Sequence, residues 1–261
     1  MKIGVKTLIF SLALSVVARA QDAADVLKVA QEKLDHGDPM GAINALDHVI
    51  EKFPDQAEAY YLRGMAKAKH NDTLGALLDY GEAIRLKPAE TLYYRTRSNL
   101  LAASERYQSA IAGYDKVIEL QPDQPEGYLG RGDVRGRMKD FPGAIADLTK
   151  AIALNPKTPE AYVLRTTMLM LMSDLPGALA SADETIKLFP STAQAFRQRS
   201  QLKMKNSDAD AAVTDMDEAI RLAPDEIVFY RERAQLRAAA GDSDGAQEDV
   251  KKYNELRAKR K

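Results

Sequence analysis

Apolar and polar positions alternate along this chain with the period of an amphipathic helix, and the alternation recurs in blocks. In one block, Leu77, Tyr80 and Ile84 are spaced so that they lie on one face of a predicted helix. Six prolines recur at equal spacing along the chain. They are Pro54, Pro88, Pro122, Pro156, Pro190 and Pro224. A constant interval in the range of about 20–50 residues is typical of a solenoid built from stacked repeats.

Seven consecutive repeats of equal length account for nearly all of the chain after residue 22, without insertion or deletion. They cover residues 23–56, 57–90, 91–124, 125–158, 159–192, 193–226 and 227–260. Position 4 of a repeat is aromatic in six repeats, position 8 is always small, and position 20 is always alanine. Small side chains allow two helix backbones to approach closely, so each repeat is predicted to form a helix A packed on a helix B.

The limits of helix B are marked by two recurring residue types. Position 16 is aspartate in six repeats, and aspartate accepts hydrogen bonds from the free N–H groups at the start of a helix. These residues are Asp38, Asp72, Asp140, Asp174, Asp208 and Asp242. The proline at position 32 cannot extend a helix, so it ends helix B.

This pattern resembles the tetratricopeptide repeat (TPR) family. In the second repeat it consists of Tyr60, Gly64, Ala76, Tyr80, Ala83 and Pro88. The resemblance covers the predicted array 21–261 and implies an all-α fold, a right-handed superhelical solenoid of helix-turn-helix repeats. Position 7 departs from the usual aliphatic residue, because it is arginine in six repeats. This feature resembles the Arg-Gly subclass of the family.

The arginine at position 7 has a candidate partner at position 23, which is aspartate in four repeats. We expect four ion pairs between helices A and B: Arg63–Asp79, Arg131–Asp147, Arg199–Asp215 and Arg233–Asp249. Arg97 and Arg165 need other acceptors, since position 23 is Gly113 and Ser181 in their repeats. The alternative is that the arginine row binds a ligand. We favour the ion pairs, because an arginine near a packed face needs a partner to remain charged.

The first twenty residues do not follow the repeat and are predicted to be a signal peptide. Lys2 and Lys6 precede an apolar run at 7–17, and Ala18 and Ala20 form a small-x-small cleavage site. An uncleaved membrane anchor is the alternative, but the run is shorter than the roughly 20 apolar residues that span a bilayer. We therefore expect cleavage after Ala20 and an exported protein, either periplasmic or secreted.

Composition and motifs argue against catalysis and against nucleic-acid binding. The net charge of −1 lacks the basic excess of a general nucleic-acid binder. Cysteine is absent, which excludes disulfides, thiolate metal sites and cysteine nucleophiles. Neither HExxH nor GxSxG occurs in the sequence. We therefore predict no catalytic residue, no metal and no cofactor.

The resemblance implies that helices A line a concave groove through positions 2, 5, 9, 12 and 13. Carried over to this sequence, the candidate groove residues are Tyr61, Met65, Lys69, Arg95, Asn99, Asp133, Arg137, Thr167, Met170, Arg197, Gln201, Lys205, Arg231 and Gln235. The expected partners are other proteins or peptide segments, bound in extended form. The alternative function is a structural scaffold or assembly factor for an envelope complex, with possible self-association.

Overall fold

The computed structural model describes residues 24–259, and this part of the chain is all α-helical. Fourteen helices follow one another, and no strand occurs between residues 24 and 259. The predicted fold class of helix-turn-helix repeats is thus confirmed. The predicted signal peptide, residues 1–20, lies outside the described residues.

Helix A and helix B alternate along the chain, so odd-numbered helices are helices A and even-numbered helices are helices B. The bounds are α1 (described over 24–35), α2 (Pro39–Lys52), α3 (Ala57–Lys69), α4 (Thr73–Leu86), α5 (Thr91–Ala103), α6 (Tyr107–Leu120), α7 (Pro125–Arg137), α8 (Phe141–Leu154), α9 (Pro159–Leu171), α10 (Leu175–Leu188), α11 (Ala193–Lys205), α12 (Ala209–Leu222), α13 (Ile227–Ala239) and α14 (Ser243–Lys259).

The chain forms two compact units, which we call the N-terminal half and the C-terminal half. The N-terminal half is Met1–Pro122 and contains α1 to α6. The C-terminal half is Asp123–Lys261 and contains α7 to α14. In both halves, each helix A packs on the helix B that follows it.

The small residues at positions 8 and 20 have the predicted packing role. A Cβ atom on Gly64 would lie 2.7 Å from the ring of Tyr80, and one on Gly132 would lie 3.0 Å from Cγ of Leu148. Six of the seven alanines at position 20 are fully buried: Ala42, Ala76, Ala110, Ala144, Ala178 and Ala212. Helices A and B therefore approach too closely for larger side chains at these positions.

The aspartates at position 16 cap helix B in all six repeats, as predicted. Each carboxylate accepts a hydrogen bond of 2.8–3.2 Å from the backbone N–H three residues later. In the third repeat the same place is held by Arg106, which makes no side-chain cap. Helix α6 therefore begins with one N–H group less well satisfied than its counterparts.

Replacement of Arg106 by aspartate should stabilise the protein by about 1 kcal/mol, because it supplies the missing cap. The backbone is already suitable, since φ and ψ are −85° and 59° at Arg106 and −84° and 73° at the capping Asp72. Urea unfolding of Arg106→Asp and Arg106→Ala measures the gain, with the alanine variant controlling for loss of the arginine. Equal stability of the two variants would contradict the capping interpretation.

The turn between helices A and B contains a residue in the left-handed region at position 15 of every repeat. The φ values run from 58° to 86° at Gly37, Asn71, Glu105, Lys139, Ser173, Ser207 and Gly241. Backbone hydrogen bonds close the turn, as from Asp72 N–H to the carbonyl of Lys67 at 2.8 Å. The sequence did not reveal this conformation, because glycine marks it in two of the seven repeats.

Candidate functional site

The four predicted arginine–aspartate pairs are all formed, and we call them the ladder. Each arginine donates two hydrogen bonds of 2.5–2.9 Å to one carboxylate. The pairs are Arg63–Asp79, Arg131–Asp147, Arg199–Asp215 and Arg233–Asp249. All four aspartates are buried, so the arginines supply the counter-charge that burial requires.

A second cation, at position 11, completes each pair of the ladder. The distances to the buried carboxylate are 2.8–3.1 Å for Lys67, Arg135, Lys203 and Arg237. In the third and fifth repeats, which lack aspartate at position 23, position 11 is Leu101 and Leu169. These cations were not predicted, although their joint occurrence with aspartate is visible in the aligned repeats.

The ladder arginines make two further contacts that hold them in place. A ladder arginine also binds an aspartate of the preceding repeat at 2.6–2.8 Å in the pairs Arg63–Asp47, Arg199–Asp183 and Arg233–Asp217. Each ladder guanidinium also lies 5.5–5.8 Å from the centre of the aromatic ring at position 4. The hydrogen bond to Asp79 raises the pKa of Arg63. These arginines are therefore structural.

The two arginines without an aspartate at position 23 differ from each other. Arg165 donates to Ser181 Oγ at 3.2 Å and to Glu184 at 2.5 Å, and it lies over the ring of Tyr162. Arg97 is exposed and makes no hydrogen bond, ion pair or ring contact with any residue between 24 and 259. Arg165 thus finds the other acceptors that were expected for it, whereas Arg97 does not.

In the N-terminal half, the candidate groove residues of α3 are engaged in packing. The ring of Tyr61 lies 4.9 Å from that of Tyr93, and Met65 packs on a buried apolar cluster. Lys69 donates to the carbonyl of Leu34 at 3.0 Å, which links α3 to α1. These contacts leave part of each side chain accessible and fix its position.

The candidate groove residues of α5 are less constrained. Asn99 is exposed, and its side-chain oxygen accepts a hydrogen bond from Tyr114 Oη. Arg95 is half-buried and makes no hydrogen bond or ion pair within the described part of the chain. A guanidinium without an acceptor is available to a ligand.

In the C-terminal half, the candidates of α7 and α9 are mostly satisfied by neighbours. Arg137 binds Asp133 at 2.9 Å across one helical turn. Thr167 accepts a hydrogen bond from Gln198 of α11 at 2.8 Å, which links adjacent helices A. Met170 packs on a buried cluster between α10 and α11.

The candidate groove residue Arg197 forms an ion pair with Glu232 of the next helix A, α13. Glu232 of α13 receives two hydrogen bonds from its guanidinium, at 2.8 and 2.5 Å, and a third from Gln201 at 3.2 Å. The hydrogen bond to Glu232 raises the pKa of Arg197. Glu232 lies at position 6, where the residue type differs among the repeats, so no pattern pointed to it.

A cavity of about 370 Å³ lies beside this ion pair, between α11, α12 and α13. Its lining comprises Gln201, Met204, Met216, Glu232, Gln235 and Leu236. A neighbouring recess of about 460 Å³ includes Arg231, Gln235 and Val250. The structure therefore brings Gln201, Arg231 and Gln235 close to one another, whereas Lys205 is exposed and lines neither cavity.

Between residues 24 and 259, no group of three or more histidine, aspartate or glutamate side chains could hold a metal ion. No helix in the same range is both long and apolar enough to cross a membrane.

Solved structures similar to this one include tetratricopeptide repeat proteins. A tetratricopeptide repeat protein from Parabacteroides merdae superposes with a TM-score of 0.71 at 18% identity, over 90% of this chain and 93% of that chain. PilF of Pseudomonas aeruginosa gives 0.67 at 18% identity, over 84% and 99%. YrrB, a TPR protein with an unusual peptide-binding site, gives 0.54 at 22% identity, over 71% and 95%. No curated protein matches the sequence.

The stacked pairs of helices and the two-helix repeat define an α-helical repeat protein. The family model for the tetratricopeptide repeat matches residues 27–91 and 95–159, about half of the chain. The chain belongs to the tetratricopeptide repeat family.

Proposed function

We propose that this protein is an exported, non-enzymatic interaction protein that binds an extended segment of a partner protein on its helices A. The family supports a role in protein–protein interaction. The peptide-binding site of YrrB is a precedent for peptide recognition on this fold. The proposal of export is based on the predicted signal peptide at residues 1–20. N-terminal sequencing of the exported protein tests it, and the sequence should begin at Gln21.

The observation that carries the proposal is the cavity between α11, α12 and α13. Gln201 and Gln235 line it together with the apolar side chains of Met216 and Leu236. A side-chain amide both donates and accepts hydrogen bonds, as an extended peptide backbone requires. The apolar wall can take one aliphatic side chain of the bound segment.

The charges of the cavity favour an uncharged segment at this place. Glu232 is the acidic residue of the lining, and its carboxylate is neutralised by Arg197. An acidic peptide would have to displace Glu232 from Arg197, and a basic peptide would have to compete with Arg197. A segment that presents its backbone and an apolar side chain meets neither obstacle.

The double variant Gln201→Ala, Gln235→Ala should weaken partner binding about tenfold, because it removes two hydrogen-bonding groups from the lining of the cavity. The partner is first identified by affinity capture from the exported fraction, and its affinity for each variant is then measured by titration calorimetry. The control is Lys251→Ala, Lys252→Ala, which changes two exposed residues of α14. Equal affinity of the two double variants would move the binding surface elsewhere.

A further inference from the structure

The seventh repeat exposes an apolar surface whose counterpart is buried in every earlier repeat. Position 24 is 0–2% exposed in the first six repeats, whereas Val250 at the same position is 49% exposed. It lines the recess of about 460 Å³ between α13 and α14. We call the surface of this recess the end face, and its residues are Arg231, Ala234, Gln235, Ala238, Ala246, Gln247 and Val250. Among the described residues, no helix follows α14 that could cover the end face.

Helix α13 shows how the equivalent surface of the sixth repeat is covered. Met216, which corresponds to Val250, is fully buried in one apolar cluster with Leu236 of α13. Ala212, which corresponds to Ala246, is fully buried in the same cluster. A helix that covers this surface therefore supplies an apolar side chain at the place of Leu236.

The polar side chains of the same interface recur in the end face. Arg197 and Gln201 bind the carboxylate of Glu232 through three hydrogen bonds of 2.5–3.2 Å. Arg231 and Gln235 occupy the same two positions, 5 and 9, in the seventh repeat. Both are exposed and make no hydrogen bond or ion pair with any residue between 24 and 259. The end face thus contains the two side chains that bind a glutamate in the preceding repeat, but no glutamate.

A charge beside the end face distinguishes its occupant from another helix A of this chain. Asp217 at position 25 binds Arg233, at position 7 of the next repeat, at 2.7 Å. Position 25 of the seventh repeat is the exposed Lys251, which would repel an arginine and attract an acidic residue. Six of the seven helices A carry arginine at position 7, and α1 has Lys28 where α13 has Glu232. The charges therefore favour a different protein over a second copy of this chain.

We propose that the end face docks an amphipathic helix of a partner protein, with two successive acidic residues and an apolar residue three places after the second of them. The first carboxylate binds Arg231 and Gln235, and the second binds Lys251. The apolar side chain enters the recess beside Val250, as in other complexes in which a helix lies in a groove. This inference goes beyond the proposed function, because the partner segment is helical and binds the last repeat alone.

Peptides with the sequence of α13, Ile227–Ala239, serve as probes for the purified protein. They are labelled with fluorescein and stapled on the face opposite Leu236, because short helices are only marginally stable in water. The acidic probe carries Arg233→Glu, and the reversed probe carries Glu232→Lys in addition. Fluorescence anisotropy should show that the protein binds the acidic probe and that Arg231→Glu binds it about tenfold more weakly. The reversed probe should restore binding to Arg231→Glu, because it exchanges the two charges.

Two further variants separate docking from a general effect of charge. Val250→Asp places a charge in the recess and should also weaken binding of the acidic probe about tenfold. Lys150→Glu reverses an exposed charge on α8 and should leave binding unchanged. Melting curves of Arg231→Glu and Val250→Asp should match that of the unmodified protein, because both side chains are exposed in the folded chain.

The docking site is disproved if the acidic probe does not bind at a protein concentration of about 1 mM. It is also disproved if Arg231→Glu and Val250→Asp bind the probe as the unmodified protein does, or if the reversed probe does not bind Arg231→Glu. Tighter binding of the α13 peptide with its own Arg233 would reject a different protein as the occupant and assign the end face to a second copy. These measurements need no captured partner, so their outcome is independent of the test of the proposed function.

Discussion

Replacement of Asp147 by alanine should destabilise the C-terminal half by about 3 kcal/mol, the low end of the range for breaking a buried ion pair. Asp147 is 4% exposed and binds Arg131 at 2.7 and 2.9 Å and Arg135 at 2.8 Å. Its removal leaves two cations against a packed surface without a counter-charge. The low end applies because the side chains of Arg131 and Arg135 remain 18% and 28% exposed and can be partly rehydrated.

Hydrogen exchange of α7 and α8, together with urea unfolding, measures this effect, because repeat arrays need not unfold in one step. Asp183→Ala is the matched control, since it removes an aspartate that binds Arg199 at 2.8 Å but has 60% of its side chain exposed. The control should cost less than about 1 kcal/mol. Similar losses in the two variants would contradict the structural role of the buried carboxylate.

Replacement of Tyr80 by alanine should cost about 3–5 kcal/mol, as for other large aromatic residues that are cut back in a core. Tyr80 is 2% exposed, and its ring fills the space above Gly64, where a Cβ would come within 2.7 Å. Truncation leaves a cavity at the closest approach of α3 and α4. Burial also raises the pKa of Tyr80, so the phenol is neutral and the loss should not vary with pH in the neutral range.

Thermal and urea unfolding of Tyr80→Ala should be compared with those of Leu78→Ala. Leu78 lies on the same helix with 69% exposure, so its truncation should change stability by no more than about 0.5 kcal/mol. Gly64→Ala adds a sharper test, because the added methyl group meets the Tyr80 ring in the unmodified protein but enters the vacated space in Tyr80→Ala. If Gly64→Ala is equally unfavourable in both backgrounds, the ring does not occupy that space.

The fold and the ladder could be predicted because identical residues recur at identical spacing. Arg63 and Asp79 have the same separation along the chain as their three counterparts, so one helix pair determines the geometry of all. The caps followed for the same reason, since Asp72 and its equivalents directly precede helix B in every case. Where the same residue type occupies the same position in several repeats, it makes the same contact in each of them.

The candidate groove could be predicted less completely, because its residues vary from repeat to repeat. Glu232, which pairs with Arg197, lies at a position that shows no pattern among the repeats. Lys69 and Thr167 are tied to adjacent helices A by contacts that single positions cannot reveal. Arg97 is the opposite case, since the glycines at its two partner positions are visible in the sequence, and the side chain is exposed in the structure.

The spacing between each ladder arginine and its aspartates is constant, and this spacing determines which insertions and deletions of whole repeats the chain can accept. Loss of residues 193–226, one whole repeat, would bring Asp183 to the place that Asp217 now holds before Arg233. The arginine would meet the same residue type at the same spacing, and Asp249 would be unaffected. Recombination between repeats can thus add or remove modules with their electrostatic partners already matched, whereas insertion or deletion of one residue between the two members of a pair would change the spacing of that pair.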